Sequence, residues 1–572
     1  MRAPALRFRS AAALAALLAF SPALAGATAT ISILNVDGAG EGFNDPTVAV
    51  EPAPGNAGIT IGQQRLIAFQ YAADLWGAAI DSPVEIIIQA SFDPLTCTAT
   101  TGTLGSAGAT FVFSDFPGAE IAGLWYHSAL ADKLAGADLN PGAADLVARF
   151  NSRLGQPTCL AASGWYYGLD DQQPINRINL VTVLLHEFAH GLGFANFVNE
   201  AAGTFLAGQG DIFSEYTYDV STGKIWNDMT SGAGSELQAS AINSRQVVWN
   251  GLHVSNDAPD VLAPGTPLLT VSAPAAIAGT YDIGAASFGP VLSAPRVTGS
   301  VVAGLDPADG AGPTTFDACS PLTNPGDVAG NIALVNRGTC AFTVKVKNCQ
   351  DAGAIAVIVA DNAVGSPPAG LGGADPTIVI PSGRVTLGDG TAIRAQLGAG
   401  VVATLGVDLS VRAGTEASTG LVHLNAPNPV VPGSSISHWD PIAFRNQLME
   451  PAINDDLTHS LVAPEDLTLA EMIDIGWFSD GDGVPDGSDE CLGSDPSATV
   501  VIDGCDSGAP NHVFATGCRF SDAIEACAEA AGNHGGFTSC VTHQSNAWKK
   551  AGLISGAQKG AIQSCAAGAD LP

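Results

Sequence analysis

The stretch "HEFAHGLGFAN", residues 186–196, decides how the chain around it folds. It closes the apolar run "NRINLVTVLLHEFAHGLGF" (176–194), which predicts a buried helix that ends at the glycines. Positions i and i+4 share one face of a helix, so His186 and His190 can both reach one metal ion. A catalytic zinc site takes three protein ligands and one open position for water. The chain must therefore supply a third ligand from elsewhere.

Glu187 indicates that the site is catalytic. Glu187 follows His186 directly, so its side chain leaves the helix in a different direction from that of the two histidines. Its carboxylate is therefore expected beside a metal-bound water and not on the metal. Zinc lowers the pKa of such a water towards ~7, and a neighbouring carboxylate can take the proton. A purely structural site has no use for this base. The alternative interpretation is an ordinary helix whose apolar face carries two histidines.

The position of the third ligand leaves four alternatives. Three residues after Gly193, where the pattern would continue with a histidine, the chain has Asn196, a neutral amide and a poor zinc ligand. Acidic candidates follow in Glu200 or Glu215, on no convincing second helix, and in Asp211. The fourth candidate is His438, in "SISHWDPIAFRNQLMEP" (435–451). Its distance along the chain favours a surface histidine, but the residues around it favour a ligand.

The motifs around His438 carry a family resemblance. "HEFAHGLGF", a long insertion, "SHWD…LMEP" and "LTLAEMIDIGW" (467–477) together resemble the leishmanolysin-like branch of the metzincin zinc peptidases. In that branch the third histidine lies far downstream and a methionine turn follows it closely. The resemblance implies zinc on His186, His190 and His438, Glu187 as the base, Gly193 at the turn and Met449 under the metal. This chain departs from the family in its longer insertion, and it shows no long propeptide before the helix.

The predicted fold is α+β, with a zincin-type catalytic domain in two sequence segments. Leu66, Phe69, Ala73, Trp76 and Ile80 give one apolar helix face, and the strand "VEIIIQA" follows. The predicted domains are a signal peptide (1–25), the first catalytic part (26–256), an insertion (257–430), the second catalytic part (431–478), a calcium repeat (479–510) and a Cys-rich helical tail (511–572).

The insertion has a resemblance of its own. "NIALVNRGTCAFTVKVKNCQDAGAIAVIVADN" (331–362) predicts strand, turn, helix and strand, and it looks like a protease-associated (PA) domain, a non-catalytic module of many secreted peptidases. Further on, "IPSGRVTLGDGTAIRAQL" predicts a strand end, a turn at Asp-Gly and a helix. An insertion between two zinc ligands must leave and re-enter near the cleft, which predicts a lid or substrate-gating role. A bulky spacer is the alternative.

The acidic stretch "SDGDGVPDGSDEC" (479–491) predicts a calcium site. Dense carboxylates on a turning loop are hard oxygen ligands of the kind that Ca²⁺ takes. The spacing is not that of an EF-hand, and the stretch resembles a thrombospondin type 3 repeat. The alternative is a solvated acidic linker. The predicted calcium ligands are Asp480, Asp482, Asp486 and Asp489.

The 11 cysteines predict disulfides because the chain carries an export signal. The predicted pairs are Cys97 with Cys159, Cys319 with Cys340 and Cys491 with Cys505. Cys349 is the expected odd thiol. Four more cysteines (518, 527, 540 and 565) indicate a small stapled helical bundle at the C-terminus.

The N-terminal residues predict the compartment of the protein, and its net charge argues against one class of partner. Residues 1–25 have a basic start, a short apolar core and an Ala-Leu-Ala cleavage site, which predicts a secretory signal peptide. No other stretch is long and apolar enough to span a membrane. A net charge of −33 argues against nucleic acid, whose phosphates need basic patches.

The sequence thus predicts a secreted, extracellular zinc endopeptidase acting on proteins or peptides, with Ca²⁺ as a second metal. Its C-terminal region would contact a cell surface or matrix. The rival prediction is a non-enzymatic secreted binding or adhesion protein. In that protein the PA domain and the calcium repeat would carry the function, and the zinc site would be vestigial or structural. A zinc hydrolase of non-protein amides is a third alternative, which the inserted PA domain disfavours.

Overall fold

A computed structural model describes residues 29–571, except 52, 294–295, 455, 480–483 and 496. The predicted signal peptide, Asp480 and Asp482 lie outside the described residues. Within them, no helix has both the length and the apolar character needed to cross a membrane.

The described chain contains both α-helices and β-strands. The strands are β1 Ile31–Asn35, β2 Ile86–Asp93, β3 Gly105–Ala109, β4 Val112–Phe113, β5 Tyr126–His127, β6 Leu146–Asn151, β7 Gly164–Tyr166, β8 Arg177–Asn179, β9 Thr217–Asp219, β10 Lys224–Ile225, β11 Val247–Trp249, β12 Pro264–Ala273, β13 Gly279–Asp282, β14 Gly284–Ala285, β15 Val297–Ala303, β16 Ile332–Asn336, β17 Ala356–Ala360, β18 Ser382–Val385, β19 Val402–Arg412, β20 Val422–His423, β21 Thr499–Ile502 and β22 Cys505–Pro510. The helices are α1 Ile61–Ala79, α2 Ser128–Ala135, α3 Leu180–Leu192, α4 Ile212–Tyr216, α5 Glu236–Ser240, α6 Leu252–Val261, α7 Pro325–Val328, α8 Phe342–Asp351, α9 Leu387–Ala395, α10 Thr468–Asp474, α11 Phe520–Glu529, α12 His534–Ala551 and α13 Gly556–Gly568.

The part of the chain that carries the histidines, residues 29–263 and 413–479, is called the histidine domain below. Its main sheet has the order β1-β2-β6-β3. The first three strands are parallel, and β3 runs antiparallel to β6 at the edge. Every second residue of β2 is buried, because alternate side chains of a strand point to opposite faces. The sequence prediction of a helix followed by a strand over 64–90 is confirmed by α1 and β2.

Helices α1 and α3 cover one face of this sheet. Phe69 of α1 packs edge-on against Phe150 of β6, with ring centroids 4.9 Å apart, and Trp76 donates its indole N–H to the carbonyl of Leu185. The helix predicted over 176–194 is shorter in the structure, because 177–179 form β8. The side chain of Asn179 then accepts backbone N–H groups and caps α3.

A disulfide holds the edge of this sheet. Cys97, in the loop before β3, is bonded to Cys159, in the loop after β6. Asn151, the last residue of β6, also donates a side-chain hydrogen bond to the carbonyl of Thr103. The two loops that flank the edge strand are thereby tied together, which fixes β3 beside α3.

The insertion, residues 264–412, leaves and re-enters the histidine domain at one place. The backbone N–H of Ala413 donates to the carbonyl of Ala263, and that of Ala263 donates to Phe444. Strand β20, which follows the insertion, pairs with β11, which precedes it. The predicted limits of 257 and 430 are wider than this sheet-bearing part, because α6 and β20 contact the histidine domain.

The insertion is built on an eight-stranded mixed sheet with the order β13-β12-β19-β15-β16-β17-β18-β14. The predicted strand, helix and strand over 331–362 are confirmed as β16, α8 and β17. The predicted Asp-Gly turn at 389–390 is wrong, since both residues lie in the first turns of α9. Thr386 caps this helix by accepting from the backbone N–H of Asp389, which makes the aspartate part of a helix start. Cys319 is bonded to Cys340, and Cys349 is a buried free thiol.

The C-terminal part combines a β21–β22 hairpin with helices α11 to α13. The predicted Cys491–Cys505 bridge is wrong: Cys491 is bonded to Cys518, and Cys505 to Cys565. The backbone N–H of Glu490 donates to Thr516, which brings Cys491 beside Cys518, whereas β22 carries Cys505 against α13. A third bridge joins residues 527 and 540, so the predicted stapled bundle is present.

Candidate metal centre

Three histidines from distant parts of the chain meet at one point. The Nε2 atom of His186 lies 3.2 Å from Nε2 of His190 and 3.3 Å from Nε2 of His438. The three ligand atoms all lie within 4.8 Å of one another. Helix α3 supplies the first two, four residues apart on its inner face, and the segment after β20 supplies the third. The structure therefore brings His438 to the pair that the sequence motif defines.

The backbone sets the tautomer of each ring. The Nδ1 atoms of His186, His190 and His438 lie 2.7, 2.8 and 3.1 Å from the carbonyl oxygens of Leu448, Phe194 and Ser434. A carbonyl oxygen only accepts hydrogen bonds, so each Nδ1 carries the proton and donates it. Each Nε2 then presents a lone pair towards the other two rings.

Three lone pairs facing each other at this distance fit a shared cation. Two nitrogens bound to zinc at ~2.05 Å with tetrahedral angles lie ~3.3 Å apart, which is close to the 3.2 and 3.3 Å from His186 to the other two rings. Carbonyls that accept from the opposite ring nitrogen are the usual way in which proteins orient histidine ligands. The donor set of three neutral imidazoles also suits Zn²⁺. His186, His190 and His438 therefore fit a zinc ion.

Burial keeps these rings neutral. His186 and His438 are 6% and 4% exposed. Burial lowers the pKa of His186 to about 3 and that of His190 to about 4, and it lowers the pKa of His438 well below the ordinary value. Neutral imidazole is the form that coordinates a metal. His190 is partly buried and is the most exposed of the three.

The side chain of Glu187, on helix α3, packs against the edge strand β3. A Cβ atom added to Gly105 would come within 3.0 Å of the Glu187 carboxylate, so the glycine makes this close approach possible. The backbone N–H of Ala107 donates to the same carboxylate, while burial raises the pKa of Glu187 to about 8. A divalent cation nearby would favour the ionised form. The carboxylate of the residue next to His186 is thus held in contact with β3.

The segment that contains Met449 contacts His186 and the residue that follows His438. The carbonyl of Leu448 accepts from His186, and the carbonyl of Met449 accepts the backbone N–H of Trp439, next to His438. Asp466 fixes this segment by accepting the backbone N–H of Leu448 at 2.6 Å. Met449 itself is fully buried. The Met449 segment thus holds His186 and the neighbour of His438 through backbone carbonyls.

The alternative third ligands are used elsewhere. Asn196 donates its side-chain N–H groups to Glu200 and Ser437, Glu215 accepts from Asn227, and Asp211 caps α4. Among the described residues, one further group of metal-binding residue types is close together, namely Cys491, Cys518 and Asp522. Its two cysteines form a disulfide, so they do not offer thiolates to a metal.

Sequence reasoning missed the residues that support the ligands. The carbonyls of Phe194, Ser434 and Leu448 leave no side-chain signal in a sequence. Asp466, a carboxylate just before the predicted helix at 467–477, is a helix-start signal that could have been noted. Ser437 accepts a hydrogen bond from the side chain of Asn196. It lies next to His438 in the sequence, but sequence reasoning did not single it out.

The described part of the predicted calcium loop packs on the histidine domain. Asp486 and Asp489 are each 1% exposed. Asp486 accepts the backbone N–H of Phe478, and Asp489 accepts that of Cys491. His253 of α6 donates to the backbone carbonyls of both aspartates, at 3.1 Å each. Because Asp480 and Asp482 lie outside the described residues, a calcium site here stays a prediction.

Comparison with known proteins identifies one module. Residues 297–393 match the family model of the PA domain. They include β15 to β18 and both α8 and most of α9, so the core of the insertion is a PA domain. The match spans too little of the chain to assign the whole protein to a family.

The individual relatives share only part of the chain. The human ER degradation-enhancing alpha-mannosidase-like protein 3 is 46% identical over 83 residues, 14% of this chain and 8% of that protein. The probable leucine aminopeptidase 2 of Aspergillus fumigatus is 38% identical over 96 residues, 16% and 19% of the two chains. This chain thus spans less than a quarter of the length of either relative.

One solved structure that shares part of the chain is BSAP, a zinc aminopeptidase from Bacillus subtilis. It is 23% identical, covers 27% of this chain and 35% of its own, and has a TM-score of 0.19. That score is too low to support an argument about the fold or the activity of the whole chain.

Proposed function

We propose that this protein is an exported zinc peptidase that cleaves internal peptide bonds of protein substrates. The observation that carries the proposal is the convergence of three neutral imidazole Nε2 atoms, 3.2 and 3.3 Å apart, with a carboxylate on the adjoining residue of the helix. Three protein ligands and a neighbouring base are the set that a hydrolytic zinc site uses.

The edge strand supports a peptide as the substrate. Among the described strands, β3 pairs only with β6, and the backbone N–H of Ala107 in β3 donates to Glu187. An extended peptide can add to such an edge through main-chain hydrogen bonds. This would hold a substrate backbone alongside the three histidines, with its side chains alternating in direction.

In the proposed mechanism, residues of this chain orient the imidazoles and transfer protons. Zinc, when bound to His186, His190 and His438, supplies a Lewis acid that polarises a carbonyl and lowers the pKa of water. Glu187 accepts a proton from the attacking water and delivers it to the leaving amine nitrogen. The carbonyls of Leu448, Phe194 and Ser434 keep the imidazoles in the coordinating tautomer.

The finer assignment is to the leishmanolysin-like metzincins. It rests on the sequence resemblance and on the contacts of the Met449 segment with His186 and with Trp439, which follows His438. An endopeptidase follows from that resemblance, whereas one partial relative bears the name of an aminopeptidase. The two activities give different products, internal fragments in one case and single amino acids in the other.

Control of access by the PA domain is a further part of the proposal. Ser366, in the insertion, exchanges two backbone hydrogen bonds with Asn428, ten residues before His438. A movement of the insertion would therefore reach the segment that carries the third histidine. Export through the predicted signal peptide and Ca²⁺ in the 479–491 loop complete the proposed picture of a secreted, two-metal protein.

The test is casein cleavage by the secreted protein, beside Glu187→Ala. Loss of the base should reduce the rate by roughly 10²- to 10⁴-fold, while bound zinc, measured by atomic emission, stays at one per chain. Mass spectrometry of the products separates internal cleavage from removal of terminal residues. If zinc-loaded wild type cleaves no protein, the proposal fails and the binding-protein interpretation takes its place.

A further inference from the structure

The turn that carries the third histidine contains a strained backbone. In the middle of residues 434–438, Ile436 has a φ of +66° and is fully buried. A β-branched residue rarely adopts this left-handed conformation. Such a conformation persists only where the surrounding structure holds it. The position of His438 therefore depends on the residues that bond to this turn.

Asn425 makes three hydrogen bonds with the turn. Its backbone N–H donates to the carbonyl of His438 at 2.8 Å, and its carbonyl accepts the N–H of Ile436 at 2.7 Å. Its side-chain nitrogen donates to the carbonyl of Ser434 at 2.9 Å. The first two bonds use the backbone, which almost every residue type could supply. The third needs a side-chain donor of the right length, which is what the asparagine provides.

The carbonyl of Ser434 is shared between Asn425 and the third histidine. It accepts from the side chain of Asn425 and, at 3.1 Å, from Nδ1 of His438. A carbonyl oxygen has two lone pairs, so it can accept from both donors at once. The amide of Asn425 thus holds the carbonyl in place, and the carbonyl orients the ring. Asn425 is only 6% exposed, so solvent has little access to this bond.

The chain on both sides of Asn425 is itself anchored. The backbone N–H of Leu424 donates to Val247 of β11 at 3.0 Å. Three residues after Asn425, Asn428 exchanges backbone hydrogen bonds of 3.0 and 2.8 Å with Ser366 of the insertion. Asn425 therefore holds the turn from a fixed position between the histidine domain and the insertion.

We propose that Asn425 is a positioning residue of the candidate centre, whose side-chain amide fixes the Ser434 carbonyl that orients His438 for the metal ion. The inference rests on the zinc site of the proposed function. It adds to that site a residue outside the ligand motifs, which acts on the metal through the third histidine.

The experiment measures metal binding by the full-length protein. Asn425→Ala removes the amide and keeps both backbone hydrogen bonds. It should weaken zinc binding by about 10- to 100-fold, the usual effect of losing a hydrogen bond that orients a ligand. Competition with a chromogenic chelator measures the affinity. The visible absorption of the Co²⁺ form, a probe of ligand geometry, should also change because the ring of His438 is no longer held in one orientation.

A second variant covers the case in which Asn425→Ala does not fold. Asn425→Thr fills a similar volume, but its hydroxyl stands one bond closer to the backbone than the amide nitrogen and does not reach the Ser434 carbonyl. It should show the same loss of zinc affinity and the same spectral change. Circular dichroism checks the fold of both variants.

The matched control is Asn511→Ala in the C-terminal part. Asn511 is also 6% exposed, and its side-chain N–H donates to the backbone carbonyl of Asp495 at 3.1 Å. This variant should lose stability without a change in zinc affinity or in the Co²⁺ spectrum. A folded Asn425 variant whose zinc affinity stays within about two-fold of wild type, below the range expected for an orienting hydrogen bond, would overturn the inference. An equal loss of zinc affinity in Asn511→Ala would also overturn it.

Metal binding separates this inference from the proposed function, because it does not depend on peptide hydrolysis. If wild type binds zinc but cleaves no casein, the proposed function fails, whereas zinc binding about ten-fold weaker in Asn425→Ala still supports the inference. If casein is cleaved and Asn425→Ala binds zinc as tightly as wild type, the inference fails and the proposed function stands.

Discussion

His438 shows what a single residue in a sequence can and cannot reveal. It lies 252 residues after His186, a separation that no helix or turn rule connects. Its neighbours gave the signal, because the "LMEP" segment and the following helix resemble a known arrangement. The carbonyls that orient the three rings could not be predicted, since every residue has one and only the folded backbone decides which carbonyl reaches a ring.

The role of His438 as a ligand leads to a prediction. His438→Ala should weaken zinc binding by roughly 100-fold or more, because the loss of a ligand exceeds the 10- to 100-fold effect of losing an outer hydrogen bond. Competition with a chromogenic chelator measures the affinity, and circular dichroism checks the fold. His512→Ala, at an exposed tail position, is the control. Unchanged zinc affinity in His438→Ala would remove this histidine from the centre.

At the scale of elements, the strong periodic segments were predictable. Helices α1 and α3 and the strand, helix and strand of the PA domain follow from apolar spacing and length. The short strand β8 could not be predicted in this way. The sequence "NRINL" continues the apolar pattern of the helix, and only the pairing with β7 makes it a strand. The Asp-Gly pair in α9 was misread as a turn, since the capping threonine that precedes it decides the local structure.

Gly193, which ends α3, gives the second prediction. Its φ is +155°, and an added Cβ would lie 2.2 Å from the Cδ1 atom of Ile475. Gly193→Ala should therefore destabilise the protein by about 1–3 kcal/mol through strain and overpacking. Urea unfolding measures the change. Gly142→Ala, with φ +91° and nothing within 4 Å of its Cβ, should cost less because it carries strain alone. Equal losses of stability in the two variants would show that the contact between residue 193 and Ile475, which follows α10, does not contribute.

At the scale of the whole molecule, two of the predicted disulfides are confirmed and one is wrong. Cys97–Cys159 and Cys319–Cys340 join neighbouring loops, so their pairing follows from the order of elements. The pairing of Cys491 with Cys505 was inferred from the resemblance to a thrombospondin type 3 repeat. In the structure Cys491 is bonded to Cys518, just before α11, and Cys505 to Cys565 in α13, because sequence alone does not encode disulfide connectivity.

Buried carboxyl groups should make stability depend on pH. Asp132 lies against Asp145, and burial raises the pKa of Asp132 from 3.8 to about 7, with the Asp145 carboxylate as a further cause. A raised pKa in the folded state means that stability is complete below pH ~4 and is lost as pH rises to about 7. Asp132→Asn keeps a donor for Asp145 and an acceptor for the N–H of Leu139.

The expected result is a melting temperature of Asp132→Asn that matches wild type near pH 4.5 and exceeds it by a few degrees at pH 8. Differential scanning fluorimetry at saturating zinc measures this difference. Asp81→Asn, at an exposed position, should show no such trend. A difference that is constant with pH, or that shrinks as pH rises, would contradict the raised pKa.

The placement of the insertion between the histidines has a consequence for biosynthesis. A ribosome completes His186 and His190 first, then the whole PA domain, and only afterwards His438. At ~5–20 residues per second, the 247 residues between His190 and His438 take roughly 12–50 s. During that interval the nascent chain has His186, Glu187 and His190 but not yet the third histidine of the candidate centre. The order of translation therefore delays assembly of the centre until a separate domain has had time to fold.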